Sequence, residues 1–524
     1  VHTADAWTFS SEHAGLFGMS ARSDSSQMNQ ACESMIKELD VFKEHLVGED
    51  ELVKSIKQFT AGNLATLRTA QGIASDLGSN WLYTNDLQFS WKHLESVQCT
   101  NPEMIRAVAN RYLTETNKTL YALTPELNSS RVSISNISNK SNEAKKVELP
   151  NGLRIILKND SSLPFAHFRS ATRSGLLTET VDNNGITRLM SKVMIKGTRS
   201  LKADEIAGEI ESAGGGIETY SGNNSHGVSL DILSDGVDLG QKIFLDVLLS
   251  PSFNKSEVER ERKSQLAAIN QQRDHLLSHT MRQARRLLIG DVGYGLDPLG
   301  ETESVSRFTP DQLNSHFESI TKPSNSVITV FGDIDVSKME DSILTAANDW
   351  AGLAFSYDSP EIKLLTDSGR TVVKTQKEQS VVALAYHGSV FGREDQLVLD
   401  LISEALNDMG SRLFNRIREE LGLAYYVGTQ NFSGVLPGCF SFYAGTGANS
   451  GGQVEEELIS QAKILAKEGL TCEELNRAKA KLLGQKKIAR QELGNVAFDS
   501  CMNELLGLGF NYSLEQEERI EKIS

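Results

Sequence analysis

Apolar residues along the chain follow two different periods, which alternate without a regular βαβ order. Apolar spacings of three and four predict helices near 202–213, 236–248 and 256–288. Alternation of apolar and polar residues predicts strands at 165–175, 227–235 and 325–333. The Pro-Asn-Gly run at 150–152 separates two more alternating stretches, which predicts a hairpin. The mixture indicates an α+β protein of repeated mixed domains, each with a mostly antiparallel sheet and helices packed on one face.

The segment 183–198, NNGITRLMSKVMIKGT, predicts a short buried helix. Its apolar positions lie on one helical face: Ile186, Leu189, Met190, Val193 and Met194. We expect Asn184 to cap the start of the helix and Gly197 to end it. The other face carries Arg188, Ser191 and Lys192, at the i, i+3, i+4 spacing often used by catalytic side chains.

Bulk composition excludes several classes of protein. A chain of 524 residues is too long for one core and should form two to four domains. Its net charge of −16 argues against nucleic acid as a partner, because phosphate binding needs a basic surface. No apolar run reaches the length of a membrane span. The five cysteines form no CxxC pair, so neither a zinc ribbon nor a disulfide framework is expected.

An internal repeat relates the two ends of the chain. Residues 48–97 and 471–523 both predict a long amphipathic helix, a second helix, an aromatic-rich break and another helix, offset by about 420 to 430 residues. Because the two copies are cut at different points, we expect the chain to be an internal slice, with roughly 280 residues missing in front and about 30 behind. No signal peptide is visible from Val1 onward, but one could lie upstream. The compartment is therefore undecided, and the periplasm or another exported location is one of the options.

The repeat and two polar stretches divide the chain into three domains and two linkers. We expect the end of a domain at 1–127, a Ser/Asn-rich linker at 128–145, a complete domain at 146–350, a second linker at 351–370 and most of a further domain at 371–524.

Three motifs together resemble the pitrilysin/insulinase (M16) family of zinc peptidases. They are GITRLMSKVMIKGT, the run from GETESVSRFTPDQLNSHF to KPSNSVITVFGDID (300–335), and GSRLFNRIREELGLAYYV (410–427). The resemblance covers nearly the whole chain in motif order. It implies a repeated fold like that of the mitochondrial processing peptidase and LuxS.

The family's zinc helix carries H-x-x-E-H, two histidine ligands and a glutamate that activates water. By resemblance, Arg188 and Lys192 stand at the ligand positions, Ser191 at the glutamate, and Ala268 on or beside the third ligand. Arginine and lysine offer no lone pair at neutral pH and would repel a dication. We therefore predict no zinc in this chain, with the family's zinc on an upstream domain or a partner.

The run RIREELGLAYYV places Arg418 and Tyr425 seven residues apart, across a turn at which Gly422 is expected to stop the helix. In the resembled family, such a pair reaches towards the zinc domain of the other lobe. A guanidinium can bind a peptide carbonyl or carboxylate, and a phenol can donate to an oxyanion. The alternative is that Arg418 is a solvated helix end and Tyr425 a core residue of a strand.

We expect the chain to be part of a zinc endopeptidase that degrades peptides in an enclosed chamber, with the zinc on an upstream domain and this lobe supplying Arg418 and Tyr425. Two other functions are kept beside it. Alternatively, it is a non-catalytic relative that serves in peptide binding or assembly. In the third case, it is the Arg/Tyr partner of a separate zinc subunit. The expected partners are accordingly a peptide and an upstream lobe or zinc-bearing subunit.

Overall fold

The computed structural model describes residues 3–10, 15–23, 27–66, 70–114, 117–121, 143–348, 350, 355–357, 360–363, 365, 367–374 and 377–524. The chain divides into two compact units, Val1–Ile137 (unit 1) and Ser138–Ser524 (unit 2). Most of the predicted linker 128–145 lies outside the described residues. The described parts of the predicted linker 351–370 contain no helix or strand.

The described residues of unit 1 form a hairpin followed by five helices. Strands β1 (Thr3–Ser10) and β2 (Gly15–Arg22) pair antiparallel. The helices are α1 (Met28–Glu44), α2 (Glu49–Thr66), α3 (Ala70–Thr84), α4 (Phe89–Gln98) and α5 (Pro102–Tyr112). Helix α5 begins at Asn101, whose side chain accepts a hydrogen bond from the Met104 amide. Many large apolar side chains of this unit are exposed, Trp81 and Leu82 among them.

The first part of unit 2, the large-sheet region, holds a six-stranded sheet. Its strands are β3 (Lys145–Glu148), β4 (Arg154–Asn159), β5 (Phe165–Arg173), β6 (Gly216–Ser221), β7 (Ser225–Leu233) and β8 (Ser326–Gly332). They lie in the order β3-β4-β8-β5-β7-β6, and every pair is antiparallel except β4–β8. The helices are α6 (Ile186–Met194), α7 (Ala203–Ser212), α8 (Val237–Leu249), α9 (Lys255–Asp274), α10 (Leu276–Ile289), α11 (Thr302–Val305), α12 (Pro310–Ile320) and α13 (Val336–Ala347).

Local expectations for this region are mostly confirmed. Pro-Asn-Gly does connect β3 to β4, with Gly152 in the left-handed region at φ 86°. One expectation was wrong. The predicted long helix is broken at His275, which adopts an extended conformation between α9 and α10. Strand β6 begins at the last of three consecutive glycines, Gly214 to Gly216.

The second part of unit 2, the small-sheet region, holds a three-stranded antiparallel sheet in the order β10-β11-β9. The strands are β9 (Gln379–His387), β10 (Ala424–Phe432) and β11 (Cys439–Gly447). The helices are α14 (Glu394–Leu406), a π-helix (Phe414–Glu420), α15 (Gly451–Glu468), α16 (Cys472–Ala489), α17 (Leu493–Leu505) and α18 (Tyr512–Lys522). The α+β class with mostly antiparallel sheets is thus confirmed.

The two regions of unit 2 exchange helices. Helix α17 of the small-sheet region packs on β5 and β8, in a core that Ala497, Cys501 and Leu505 share with the large sheet. In the other direction, α10 packs on β9. The sequence analysis placed helices on one face of each sheet, and α17 adds cover on the opposite face of the large sheet.

Candidate functional site

A buried carboxylate holds the start of α6. The Glu179 carboxylate accepts hydrogen bonds from the backbone amides of Gly185 (2.8 Å) and Thr187 (3.0 Å) and from the side-chain amide of Asn184 (2.9 Å). The expectation that Asn184 caps the helix was therefore wrong: Gly185, at φ 90°, is the N-cap residue, and Asn184 supports Glu179. Burial raises the pKa of the Glu179 carboxyl, while these donors oppose that rise.

The outward face of α6 carries the residues that the sequence analysis placed at the family's zinc positions. Arg188 is half-buried, Lys192 is exposed, and Ser191 is buried with its hydroxyl donating to the Thr187 carbonyl at 2.8 Å. Within the described residues, no carboxylate lies within 4 Å of the Arg188 or Lys192 side chains. Helix α9, which packs on α6, presents Ala268 half-buried and directs the buried Gln265 to the Gly185 carbonyl at 3.0 Å.

These side chains do not fit a zinc ion. Two are cations without a free lone pair, one is a hydroxyl already committed to the backbone, and one is a methyl group. Across the described parts of the chain, no group of three histidine, cysteine, aspartate or glutamate side chains is placed to hold a metal. The apolar face of α6 is nevertheless fully packed in the main core.

Two histidines near α6, the buried His226 and the partly buried His316, were not singled out by the sequence analysis. His316 Nε2 lies 3.0 Å from the Thr187 hydroxyl, and His226 Nδ1 lies 2.8 Å from the Ser174 hydroxyl. Burial lowers the pKa of His316 to about 4. Burial, with a smaller contribution from His316, lowers the pKa of His226 to about 3. Both imidazoles are thus neutral near pH 7 and act as polar parts of the core.

Arg418 lies in the π-helix, two residues after Arg416, and the two arginines differ in their ion pairs. The neighbouring Arg416 is ion-paired with Glu420 at 2.8 Å and with Glu457 at 3.2 Å. Arg418 has only a 3.9 Å approach to Glu419, and its guanidinium carbon lies 4.8 Å from the centre of the Phe414 ring. π-Helical turns are rare and are frequent at functional sites. The Arg418 side chain is 45% exposed and lies against the Phe414 ring.

Tyr425 lies on a β-bulge at the start of β10. Ala424 pairs with Thr446 and Tyr426 pairs with Gly445, which leaves Tyr425 without a partner on β11. The Tyr426 ring fills the space that a side chain at position 445 would need. Tyr425 is 58% exposed, so it is not a core residue. Bulges commonly redirect a side chain beside an active site.

The turn between these residues brings the two segments together. Gly422 lies at φ 62° directly after the π-helix, which ends at Glu420 as the predicted helix stop requires. The Leu423 amide donates to the Ile417 carbonyl at 3.0 Å, and the π-helix packs on β10. Arg418 and Tyr425 consequently lie on adjoining segments, each on an irregular piece of backbone.

Two family models and several relatives match this chain. A family model described as insulinase (peptidase family M16) matches residues 154–290, and one described as the peptidase M16 inactive domain matches residues 307–482. An uncharacterized zinc protease of Bacillus subtilis, YmxG, is 25% identical over 71% of this chain and 90% of its own length. A Helicobacter pylori protein named non-peptidase homolog YmxG is 24% identical over 71% of this chain and 86% of its own.

Two solved structures share the fold. One is described as a protease from Helicobacter pylori (TM-score 0.67, 18% identity, 73% of this chain and 94% of that chain). The other is described as a peptidase M16 inactive domain from Pseudomonas fluorescens (TM-score 0.63, 21% identity, 73% of this chain and 92% of that chain). Among the helices of the described residues, none is long and apolar enough to span a membrane.

Proposed function

Because the chain is a member of the M16 peptidase family, we propose that it is the substrate-binding part of a zinc-dependent endopeptidase. In this proposal the zinc belongs to an upstream domain, and the small-sheet region supplies Arg418 and Tyr425. The substrates are peptides that enter an enclosed chamber. The side chains on α6 do not fit zinc, which is why the metal is assigned elsewhere.

The observation that carries the proposal is the setting of Arg418 and Tyr425. One lies in a π-helix and the other on a bulge, and irregular backbone costs free energy that packing alone does not require. Both side chains are also substantially exposed, and Arg418 approaches a carboxylate only at 3.9 Å, whereas the equally exposed Arg416 makes two ion pairs. The guanidinium of Arg418 would hold a peptide carbonyl or carboxylate through two parallel donors. The phenol of Tyr425 would donate to the oxyanion that forms on the attacked carbonyl.

A second candidate is a non-catalytic M16 subunit that binds peptides or supports assembly. The basic face of α6 favours it, as does the Helicobacter pylori relative named a non-peptidase homolog. A third candidate, the Arg/Tyr partner of a separate zinc subunit, requires the same two residues. Measurements on the whole protein distinguish the first candidate from the third. A zinc endopeptidase holds zinc by itself, whereas the Arg/Tyr partner gains activity only when the zinc subunit is added.

The test is cleavage of a reporter peptide by the whole protein. If Tyr425 donates to the oxyanion, Tyr425→Phe lowers kcat by about tenfold to a thousandfold with little change in KM, because that contact exists mainly in the transition state. Arg418→Ala lowers the rate and raises KM as well, since it removes a ground-state contact. Arg418→Lys restores little, because an ammonium cannot reproduce the guanidinium fork.

Arg416→Ala is the matched control, since it removes an ion-paired arginine from the same π-helix and should leave kcat and KM near the parent values. Zinc content should not change in any variant. If Tyr425→Phe and Arg418→Ala are folded, zinc-loaded and as active as the parent, the proposed roles are wrong. A whole protein without zinc and without activity supports the non-catalytic subunit.

A further inference from the structure

Two consecutive tyrosines at the start of β10 lie over the same face of β11. The Tyr426 ring lies over Gly445, and a Cβ added at Gly445 would overlap the ring carbons Cζ and Cε1. The Tyr425 hydroxyl lies 3.8 Å from the place that a Cβ of Gly447 would take. Positions 445 and 447 are two apart in one strand, so they present the same face. Both tyrosines therefore lie where β11 has no side chains.

The β-bulge is what brings both tyrosines to this face. Ala424 and Val427 both pack in the core that contains Ala444, although positions three apart in a regular strand face opposite sides. The extra residue of the bulge therefore leaves Tyr425 and Tyr426 together between two positions that face the core. Two neighbouring aromatic rings on one face need room on the paired strand, and the glycines of β11 provide it.

Space, rather than backbone conformation, explains the glycine at position 445. The φ of Gly445 does not lie in the left-handed region, so its backbone could carry a side chain without strain. The overlap falls on two carbons of the Tyr426 ring, which is rigid and belongs to a residue of the bulge itself. A side chain at position 445 would therefore displace Tyr426 and, with it, the bulge.

The other end of the bulge is fixed by a buried hydroxyl. Thr446, the partner of Ala424 across the strands, donates from Oγ1 to the Leu423 carbonyl at 2.5 Å. The Tyr426 ring also has a neighbour on β11, since its centre lies 6.4 Å from the centre of the Tyr443 ring. The residue between these two fixed points is the exposed tyrosine of the bulge.

We propose that Tyr426 and Gly445 are positioning residues for Tyr425. The Tyr426 ring, seated on the bare backbone of Gly445, holds the bulge in place, and the bulge directs Tyr425 away from the core. The inference rests on the proposed function only for its effect on catalysis, in which the Tyr425 phenol has to meet the reacting carbonyl. The position of that phenol can be measured without any peptidase activity.

The first test measures this position by fluorine NMR of the whole protein, with a fluorotyrosine at position 425. Gly445→Ala should shift or split the fluorine resonance, whereas Tyr426→Phe, which keeps the ring, should leave it unchanged. Gly216→Ala in β6 is the matched control, because a side chain there meets no atom within 4 Å and the φ of Gly216 is likewise outside the left-handed region. An unchanged resonance in Gly445→Ala overturns the proposal.

If Gly445→Ala does not fold, Tyr426→Ala takes its place in this test. Loss of the ring should shift or split the resonance at position 425, and Tyr426→Phe should not. A resonance that is the same in Tyr426→Ala as in the parent overturns the proposal.

The second test is kinetic and uses the reporter peptide. Gly445→Ala should lower kcat by about tenfold to a hundredfold with little change in KM, because misplacing a reacting group by about 1 Å costs up to that much. Tyr426→Ala should lower kcat less, since it removes the ring without forcing it into the bulge. The double variant Gly445→Ala/Tyr426→Ala should recover the kcat of Tyr426→Ala, because the overlap is gone. A double variant no faster than Gly445→Ala overturns the proposal.

The two tests also separate this inference from the proposed function. If Gly445→Ala moves the resonance but neither it nor Tyr425→Phe changes kcat, the positioning is supported and the oxyanion role is wrong. If Tyr425→Phe lowers kcat while Gly445→Ala changes neither kcat nor the resonance, the oxyanion role stands and the positioning is wrong.

Discussion

Helix α6 and the π-helix with its following turn differ in how far packing accounts for them. Helix α6 is regular, buried on its apolar face and held at its start by Glu179, and its side chains Arg188, Ser191 and Lys192 do not fit a metal. The π-helix is irregular and half-exposed, and it carries Arg418. Core packing accounts for a regular helix with one buried face, whereas it does not account for irregular backbone with exposed side chains. The contrast supports a functional role for Arg418 and Tyr425.

The largest expected effect is on zinc content, which should be either one ion per molecule or none. Residues 1–524, purified as they stand, should hold no stoichiometric zinc, because the α6 positions offer cations, a committed hydroxyl and a methyl group. Elemental analysis after dialysis checks this. Replacing the set with Arg188→His, Ser191→Glu, Lys192→His and Ala268→Glu should confer zinc binding on the same scaffold. One tightly held zinc per parent molecule would contradict the claim that the α6 side chains cannot bind a metal.

The next effect is on stability and concerns the cap of α6. Glu179→Ala leaves two backbone amides and the Asn184 side chain without their buried acceptor, so we expect a loss of about 3 to 5 kcal/mol in the free energy of unfolding. Urea denaturation measures it. Glu209→Ala, which removes an exposed carboxylate from α7, is the control and should change stability little. If Glu179→Ala changed the free energy of unfolding as little as Glu209→Ala, the contacts of α6 would not explain why this helix is kept.

In the large-sheet region, the sequence predicted the helices and strands better than the buried polar contacts that hold them in place. Helix α6 and strands β5, β7 and β8 are local patterns, and they were found within a few residues. Glu179 lies six residues before the amide of Gly185 and belongs to no recognisable capping pattern, so its role depends on the fold. The burial of His226 and His316 likewise depends on elements far apart in the chain. The π-helix and the bulge were invisible because neither has a sequence signature, although the Arg418 to Tyr425 spacing did direct attention to them.

A third effect concerns pH. The folded pKa of His316, about 4, lies below the unfolded value of 6.5, so between these values the unfolded chain binds more protons than the folded one. The free energy of unfolding therefore falls as the pH falls through that window, and His316 should account for about 2 to 3 kcal/mol between pH 7 and pH 4.5. Urea titrations of the parent and of His316→Gln measure the difference. His275→Gln removes an exposed histidine and should keep the parental pH dependence. An unchanged slope in His316→Gln would contradict the neutral, buried role.

The smallest effect tests whether the outward face of α6 is free of function. Arg188 and Lys192 are like charges at i and i+4, which disfavours a helix by a few tenths of a kcal/mol. Lys192→Gln and Lys192→Glu relieve that repulsion, but they also remove a cation from the last turn of α6, where the helix dipole favours a positive charge. The two effects are similar in size and opposite in sign, so urea denaturation should place each variant within about 0.5 kcal/mol of the parent in the free energy of unfolding. The whole protein should show the same small change, with peptidase activity unchanged. If Lys192→Glu lowers activity, or lowers stability clearly more in the whole protein than in residues 1–524, the basic face meets an anion in the assembled molecule, and α6 is then kept for more than its packing.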